Sequence, residues 1–237
     1  MRRLLSNWST PLFDRLGQAL GAGCACCGAA AGPEGFCPGC QDELPWLQGH
    51  ACSQCAQPLS IPGLCGRCLA DPPRYDRVHA ACRYAYPLDG LIQQAKYGGR
   101  LHLMRSLASL LARCAPPRAD LIVPMPLSAS RLRERGYNQA LELARLAAHA
   151  LGAAVDAGAC IKLRDTAPQS RLPWTERRRN IRGAFVTLAA LEGRHVVVVD
   201  DVLTTGSTLD ELAGSLKKAG AASVSGWVVA RTAAGRR

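Results

Sequence analysis

Apolar residues in the carboxyl-terminal part of the chain recur with two different periods. Between residues 104 and 114 they are spaced by three and four, which predicts a helix that ends before Pro116. Residues 121–123 form a short apolar run closed by prolines, and such a run is typical of a buried strand. The spacing of three and four returns between residues 140 and 151 and predicts a second helix.

The most apolar run of the chain lies further on, at residues 195–199. It contains four consecutive valines, as expected of a central parallel strand that is covered on both faces. A helix at residues 207–219 and a strand at 224–229 complete the series. Strands that alternate with helices predict an α/β fold with a doubly wound parallel sheet. Ligands of such sheets bind beyond the carboxyl ends of the strands, so the residues found there are candidates for function.

Eight of the 12 cysteines form four Cys-x2-Cys pairs, and the first two pairs recur 28 positions later. Two such turns supply the four thiolates of a tetrahedral zinc site, and zinc provides the folding energy that a short loop lacks. We therefore predict a small double zinc ribbon with one or two structural ions. A redox-active pair is the alternative, and sequential or crossed pairing stays open. The predicted ligands are Cys24, Cys27, Cys37, Cys40, Cys52, Cys55, Cys65 and Cys68.

The cysteine pattern stops at Pro72, which predicts a zinc-ribbon module at residues 1–72 and an α/β domain at 73–237. With 48% hydrophobic and 20% charged residues, the composition is that of a globular protein. No apolar run is long enough to cross a bilayer, and no export signal is evident. We therefore expect a cytoplasmic protein with no membrane insertion, in which the cysteines stay reduced.

The net charge of +11 changes the picture, because it is unevenly distributed. Residues 73–237 contain 25 Lys and Arg against 13 Asp and Glu, whereas residues 1–72 are nearly balanced. An excess of this kind favours an anionic partner, either a phosphorylated small molecule or a nucleic acid.

Two acids and a run of hydroxyls follow the valines. Adjacent carboxylates at a strand end can accept hydrogen bonds from sugar hydroxyls or hold Mg²⁺, and the loop before a helix favours a phosphate. An ordinary Ser/Thr helix cap is the alternative, but it needs one hydroxyl and neither acid. The sequence therefore predicts a ribose 5-phosphate site. Its residues are Asp200, Asp201, Thr204, Thr205, Gly206, Ser207 and Thr208.

Residues 196–208 resemble the phosphoribosyl pyrophosphate (PRPP) signature of type I phosphoribosyltransferases. With residues 123–127, 131–139 and 164–185, nearly the whole chain resembles the ComF family of competence-associated phosphoribosyltransferase-like proteins. The resemblance implies a phosphoribosyltransferase-like domain after a zinc ribbon. It also implies that the acids bind Mg²⁺ and the ribose hydroxyls, that Thr204 to Thr208 bind the 5-phosphate, and that Arg131, Arg133 and Arg135 contact pyrophosphate.

Whether the protein is an enzyme is left open by the sequence. If it is a phosphoribosyltransferase, the catalytic candidates are Asp200, Asp201, Arg164 and Arg178. The acceptor is unknown, and residues 75–100 or the zinc module would have to supply the hood that selects it. Residues 162–182 carry seven basic and two acidic residues and would fold over the site, although a solvated basic loop is the alternative.

The resemblance also favours a role in the uptake or processing of single-stranded DNA, in natural transformation or in the use of DNA as a nutrient. Proteins of the DNA-uptake machinery are then possible partners. The alternatives are an active phosphoribosyltransferase of nucleotide metabolism with no DNA role, and a zinc-stabilised domain that binds only proteins. The nucleic-acid candidates are Lys162, Arg171, Trp174, Arg177, Arg178, Arg179 and Arg182.

Overall fold

The structure is a computed structural model that describes residues 23–97, 100, 102–164 and 181–233. Spatial contacts divide the chain into two compact units, residues 1–43 and 44–237, which are described separately. The first cysteine cluster lies in the first unit. The second cluster shares the second unit with the sheet. The modules of 1–72 and 73–237 follow the cysteine spacing, whereas this division follows contacts in space.

The described part of the chain contains short helices around the cysteines and an α/β arrangement after them. The helices are α1 Pro38–Asp42, α2 Gly66–Ala70, α3 Leu88–Tyr97, α4 Leu103–Ala112, α5 Ala129–Arg135, α6 Gln139–Ala147 and α7 Ser207–Lys218. The strands are β1 Arg77–Arg83, β2 Leu121–Pro124, β3 Ala154–Val155, β4 Cys160–Lys162, β5 Phe185–Thr187, β6 His195–Leu203 and β7 Ser223–Arg231. A 3₁₀ turn, Ala148–Ala150, extends α6.

The first unit is organised around its cysteines. The backbone N–H of Cys24 donates to Ala29 O, and that of Gly28 donates to Cys24 O, which closes the first turn. α1 begins directly after Cys37, and Phe36 is buried beside it. The tight turn needs Gly28, whose φ is +78°.

A five-stranded sheet in the order β1-β7-β6-β2-β3 forms the centre of the second unit, and every pairing in it is parallel. The valines of β6 are buried between β2 and β7, as the apolar run predicts. β4 and β5 form a separate antiparallel pair. The predicted α/β fold with a parallel sheet is confirmed.

The predicted helices and strands are found close to their expected bounds, with one difference that matters for the site. β6 does not end at residue 199 but continues to Leu203, because its pairing with β7 continues as far as Arg231. Asp200 and Asp201 therefore lie within the last four residues of β6 rather than after its end. β1 was not predicted from the sequence and takes an edge of the sheet within residues 75–100.

The core of the second unit lies between the sheet and its helices. Trp227 of β7 is fully buried, and its indole Nε1 donates a hydrogen bond to Leu111 O at the end of α4. Of the helices that the structure describes, none is long and apolar enough to cross a bilayer.

Candidate functional site

Two acids at the end of β6 open onto a cleft of about 210 Å³. Asp201 is buried and forms an ion pair with Lys96 of α3, with 2.8 Å between Nζ and Oδ2. Asp200 is half-buried and accepts the backbone N–H of Asp201 at Oδ1 over 2.9 Å. The strand end therefore presents both carboxylates to the same cleft.

The surroundings of Asp200 change its acidity. Burial and the neighbouring Asp201 carboxylate raise the pKa of Asp200 to about 7, while the ammonium of Lys96 acts in the opposite direction. A carboxyl with such a pKa gains or loses its proton near neutral pH, so its charge is sensitive to pH there.

Residues 204–208 follow the acids and form what we call the phosphate loop. Gly206 has a φ of +79° and caps α7, so the loop turns sharply into the amino end of this helix. Thr205 Oγ1 and Ser207 Oγ lie 3.1 Å apart. Thr208 lines the cleft, whereas Thr205, Gly206 and Ser207 line a separate, smaller cavity of about 20 Å³, and Thr204 is exposed. Hydroxyls and amides at a helix amino end suit a phosphate.

Arginines of α5 also line the cleft. Arg131 and Arg135 are four residues apart and therefore lie on one face of the helix, toward the cleft. Arg133 lies between them in sequence and on the other side of the helix, where it is exposed. Of the three arginines predicted to contact pyrophosphate, the structure brings two to the cleft.

Three further polar residues line the cleft and were not among the predicted site residues: Lys96, Asn138 and Gln139. Asn138 caps α6, because its Oδ1 accepts a hydrogen bond from the backbone N–H of Ala140. Its Nδ2 donates a hydrogen bond to Met125 O. Gln139 is buried, accepts from Arg135 and donates to Lys96 O. Asn138 and Gln139 both lie in the stretch that carries the family resemblance. Lys96 lies outside that stretch, and only the folded position of α3 brings it to the site.

Lys162, which the sequence predicts as a nucleic-acid residue, lines this same cleft at the end of β4. Arg164 donates to Arg182 O over 2.6 Å, and both arginines are exposed rather than part of the cleft lining. The other predicted residues of this segment lie outside the described residues. They are Arg171, Trp174, Arg177, Arg178 and Arg179.

The cysteines form two clusters, in each of which the four sulfurs lie within 4.8 Å of one another. Sγ atoms of Cys27 and Cys37 are 3.7 Å apart, and those of Cys55 and Cys65 are 3.6 Å apart. Tetrahedral bonds of about 2.3 Å to zinc require a sulfur separation of about 3.8 Å, so both clusters fit a structural zinc ion. Each cluster joins sequential pairs, which answers the question of pairing that the spacing left open.

Two family models match this chain. The one described as a double zinc ribbon domain covers residues 18–69, and the one described as a phosphoribosyl transferase domain covers residues 162–237. Among solved structures, the chain is similar to a purine phosphoribosyltransferase from Pyrococcus horikoshii Ot3. The identity is 18%, the TM-score is 0.30, and the match covers 54% of this chain and 78% of that chain.

The fold and the clusters thus define a phosphoribosyltransferase-type protein with a double zinc ribbon. The DNA utilization protein YhgH of Salmonella typhi is 40% identical over 190 residues, covering 76% of this chain and 84% of that protein. Competence protein F of Haemophilus influenzae is 34% identical over 209 residues, covering 83% and 90%. The chain belongs to the ComF family of these DNA utilization and competence proteins.

Proposed function

We propose that the cleft binds PRPP together with Mg²⁺ and that the protein acts in the uptake or processing of single-stranded DNA in the cytoplasm. The observation that carries the proposal is the placement of two acids, four cationic side chains and Thr208, at the amino end of α7, around one cleft. Each of these groups matches a different part of PRPP, which has a ribose, a 5-phosphate and a pyrophosphate.

The acids account for the ribose and the metal. Asp200 and Asp201 offer carboxylate oxygens, which are the ligands that Mg²⁺ prefers, and they can accept hydrogen bonds from vicinal hydroxyls. The phosphate loop accounts for the 5-phosphate, since its amides and hydroxyls surround the amino end of α7.

The cations account for the pyrophosphate. Arg131, Arg135 and Lys162 enter the cleft from two different elements and can neutralise several charges at once. If the protein transfers the sugar, an acceptor displaces pyrophosphate from the anomeric carbon, and these cations stabilise the charge that develops on the departing group. The match to a phosphoribosyl transferase domain favours this second candidate, an active transferase of nucleotide metabolism with an unknown acceptor.

The role in DNA handling rests on the relatives and on charge. Proteins that share up to 40% of the sequence are named for DNA utilization and for competence. The excess of positive charge after residue 72 would attract a phosphate backbone. Proteins that take up DNA are then the expected partners, and the cleft becomes a PRPP site within a DNA-binding protein.

Calorimetric titration of the full chain tests the proposal. We expect PRPP to bind when Mg²⁺ is present and to bind much more weakly when it is replaced by a chelator. The same titration with single-stranded DNA present shows whether the two ligands compete or cooperate. Asp201→Asn should weaken PRPP binding by about tenfold or more, because it removes a carboxylate from the metal and from Lys96.

Glu142→Gln is the matched control, since it also replaces one carboxylate by an amide. Glu142 lies on α6 and pairs with Arg145 at the surface, so PRPP affinity should stay unchanged. A wild-type protein that does not bind PRPP with Mg²⁺ at any concentration tested would rule out the proposed site. Equal affinities of Asp201→Asn and wild type would do the same.

A further inference from the structure

The second cysteine cluster, formed by Cys52, Cys55, Cys65 and Cys68, is part of the same core as the phosphate-binding end of the sheet. Cys52, Cys55 and Cys68 are buried, and they share one hydrophobic cluster with Leu203 and Leu209 on the two sides of the phosphate loop. A zinc ribbon whose only role is to stabilise its own fold does not need contacts with this end of the sheet.

Two arginines connect this cluster to the phosphate loop. Arg67 lies on α2 between Cys65 and Cys68, and its Nη1 donates to Thr205 O over 2.5 Å. Arg231, at the end of β7, is 2% exposed, and its Nε donates to Cys55 O over 2.9 Å. Its Nη1 donates to Leu203 O over 3.1 Å and also to Thr204 O.

These bonds determine which way the loop amides point. The two guanidinium groups donate hydrogen bonds to the carbonyls of three consecutive residues, Leu203, Thr204 and Thr205. In a trans peptide the C=O of one residue and the N–H of the next point in opposite directions. With the carbonyls turned toward the arginines, the N–H groups of the following residues are turned away from them, and these are the donors that an anion at a helix amino end requires.

The chain between the cluster and the sheet makes further contacts with the start of α7. Gln54, inside the first Cys-x2-Cys turn of the cluster, donates to Tyr75 O over 3.2 Å. A Cβ at Gly206 would lie 2.9 Å from the hydroxyl of Tyr75, so this ring packs directly against the loop. Arg74 donates from its backbone N–H to Asp210 in the first turn of α7.

We propose that zinc at the second cysteine cluster orients the phosphate loop, and that Arg67 and Arg231 are the positioning residues through which it does so. Zinc holds α2 and the carbonyl of Cys55 in place, and these hold the two guanidinium groups against the loop. PRPP affinity then depends on metal at the second cluster and not on metal at the first, which lies in the other compact unit. This inference rests on the proposed function for its ligand.

Full-length variants test the proposal by calorimetry with PRPP and Mg²⁺. Arg67→Ala retains all eight cysteines and should bind two equivalents of zinc, yet its PRPP affinity should fall by about tenfold, since it loses a charged hydrogen bond to the loop. Arg67→Lys should recover part of the loss. Arg145→Ala removes the same charge from the surface of α6 and should bind as wild type does.

Cysteine variants separate the two clusters. Cys65→Ser should lose one zinc equivalent and most of the PRPP affinity, while Cys37→Ser should lose one equivalent and keep the affinity. Elemental analysis counts the zinc in each. Equal affinity in wild type and Arg67→Ala, or equal losses in the two cysteine variants, would overturn the proposal.

Amide hydrogen exchange without ligand makes the test independent of PRPP. The N–H of Asp210 donates to Gly206 O, and that of Thr232 donates to Leu203 O, so both report on the loop. Their exchange should be faster in Arg67→Ala, while the β6 amides and the melting temperature stay as in wild type. If wild type fails to bind PRPP but exchange still quickens, the proposed function fails and the coupling stands. Unchanged exchange in Arg67→Ala contradicts the coupling itself.

Discussion

At the scale of single residues, the two acids of β6 are neighbours with different surroundings. Asp201 is buried against Lys96, whose ammonium lies 2.8 Å from its carboxylate. Burial and the charge of Asp201 raise the pKa of Asp200, because a second negative charge beside the first is unfavourable where water is scarce. Asp200 is therefore an acid whose charge responds to pH near neutrality.

The affinity for PRPP with Mg²⁺ should therefore rise as the pH increases through about 7. Below this value Asp200 holds a proton and offers a weaker ligand, and above it the carboxylate is free to bind the metal. Calorimetry between about pH 6 and about pH 8 measures the change. Asp200→Asn has no proton to lose, so its affinity should follow only the titration of the ligand's own phosphate near about pH 6. The same pH dependence in both proteins would refute the role of Asp200.

Gly206 is the residue whose replacement should harm the loop most. Gly206→Ala and Gly152→Ala both place an alanine at a positive φ, of 79° and 61°, which costs about 1 kcal/mol each. At Gly206 the new methyl also meets the hydroxyl of Tyr75 at 2.9 Å, whereas nothing lies within 4 Å at Gly152. Urea unfolding should show a loss of about 1 kcal/mol for Gly152→Ala and about 2 to 4 kcal/mol for Gly206→Ala. Equal losses would mean that the Tyr75 contact is unimportant.

At the scale of elements, a corner between two helices organises the basic wall of the cleft. Gly136, in the left-handed conformation, caps the carboxyl end of α5, and Asn138 caps the amino end of α6 two residues later. The end of α3 is held against this corner, because Tyr137 donates from its hydroxyl to Ala95 O and Arg135 lies over the ring of Tyr97. Lys96 reaches Asp201 as a result of this packing.

The two faces of α5 should respond differently to substitution. Arg131→Ala and Arg135→Ala should each weaken PRPP binding by about tenfold, because their guanidinium groups line the cleft. Arg133→Ala should have a much smaller effect, since its side chain is exposed on the other face. Titration with PRPP and Mg²⁺ compares the three. If Arg133→Ala loses as much affinity as the others, α5 presents a different face to the ligand.

The sequence predicted the helices and strands that have a local hydrophobic pattern. It did not predict elements such as β1, which forms by pairing with a strand far along the chain. The valines of β6 and the spacing of α4, α6 and α7 are visible along the chain, and so are the acids, the loop and the cysteine pairs. Lys96 joins the site from α3 across the fold, and Arg67 joins it from the ribbon, 138 residues before its partner Thr205. Spacing cannot reveal such contacts. The difference between Arg131 and Arg133 likewise depends on a helix, α5, that the sequence did not predict.

At the scale of the whole molecule, the charge is concentrated in the part that carries the cleft. Residues 73–237 hold 25 basic and 13 acidic residues, and seven of the basic ones fall between residues 162 and 182. β4 and β5 pair with each other, and the N–H of Leu163 donates to Ala184 O, so both ends of this basic segment meet at the position of Lys162. A bound DNA strand would therefore be attracted toward the cleft that we propose binds PRPP.

The affinity for a single strand of DNA should fall steeply as salt increases. Each phosphate neutralised by Lys or Arg releases counterions, with a slope in the logarithms of about 0.7 per contact for a single strand. Replacing Arg177, Arg178 and Arg179 together by Gln should flatten the slope by about 2 if all three contact phosphates. Fluorescence anisotropy over a salt series measures both slopes. An affinity that does not change with salt concentration would exclude contacts with the phosphate backbone of DNA.

The place of β7 in the sheet has a consequence for the order in which the protein is made. β7 is inserted between β1 and β6, and Val224 donates to Asp76, a residue 148 positions earlier. During synthesis on the ribosome, β1 emerges well before its partner β7, and such distant pairing slows folding. Arg231 lies on the same strand, so a nascent chain that stalls before Arg231 contains both cysteine clusters but lacks the guanidinium that donates to the carbonyls of Leu203 and Thr204.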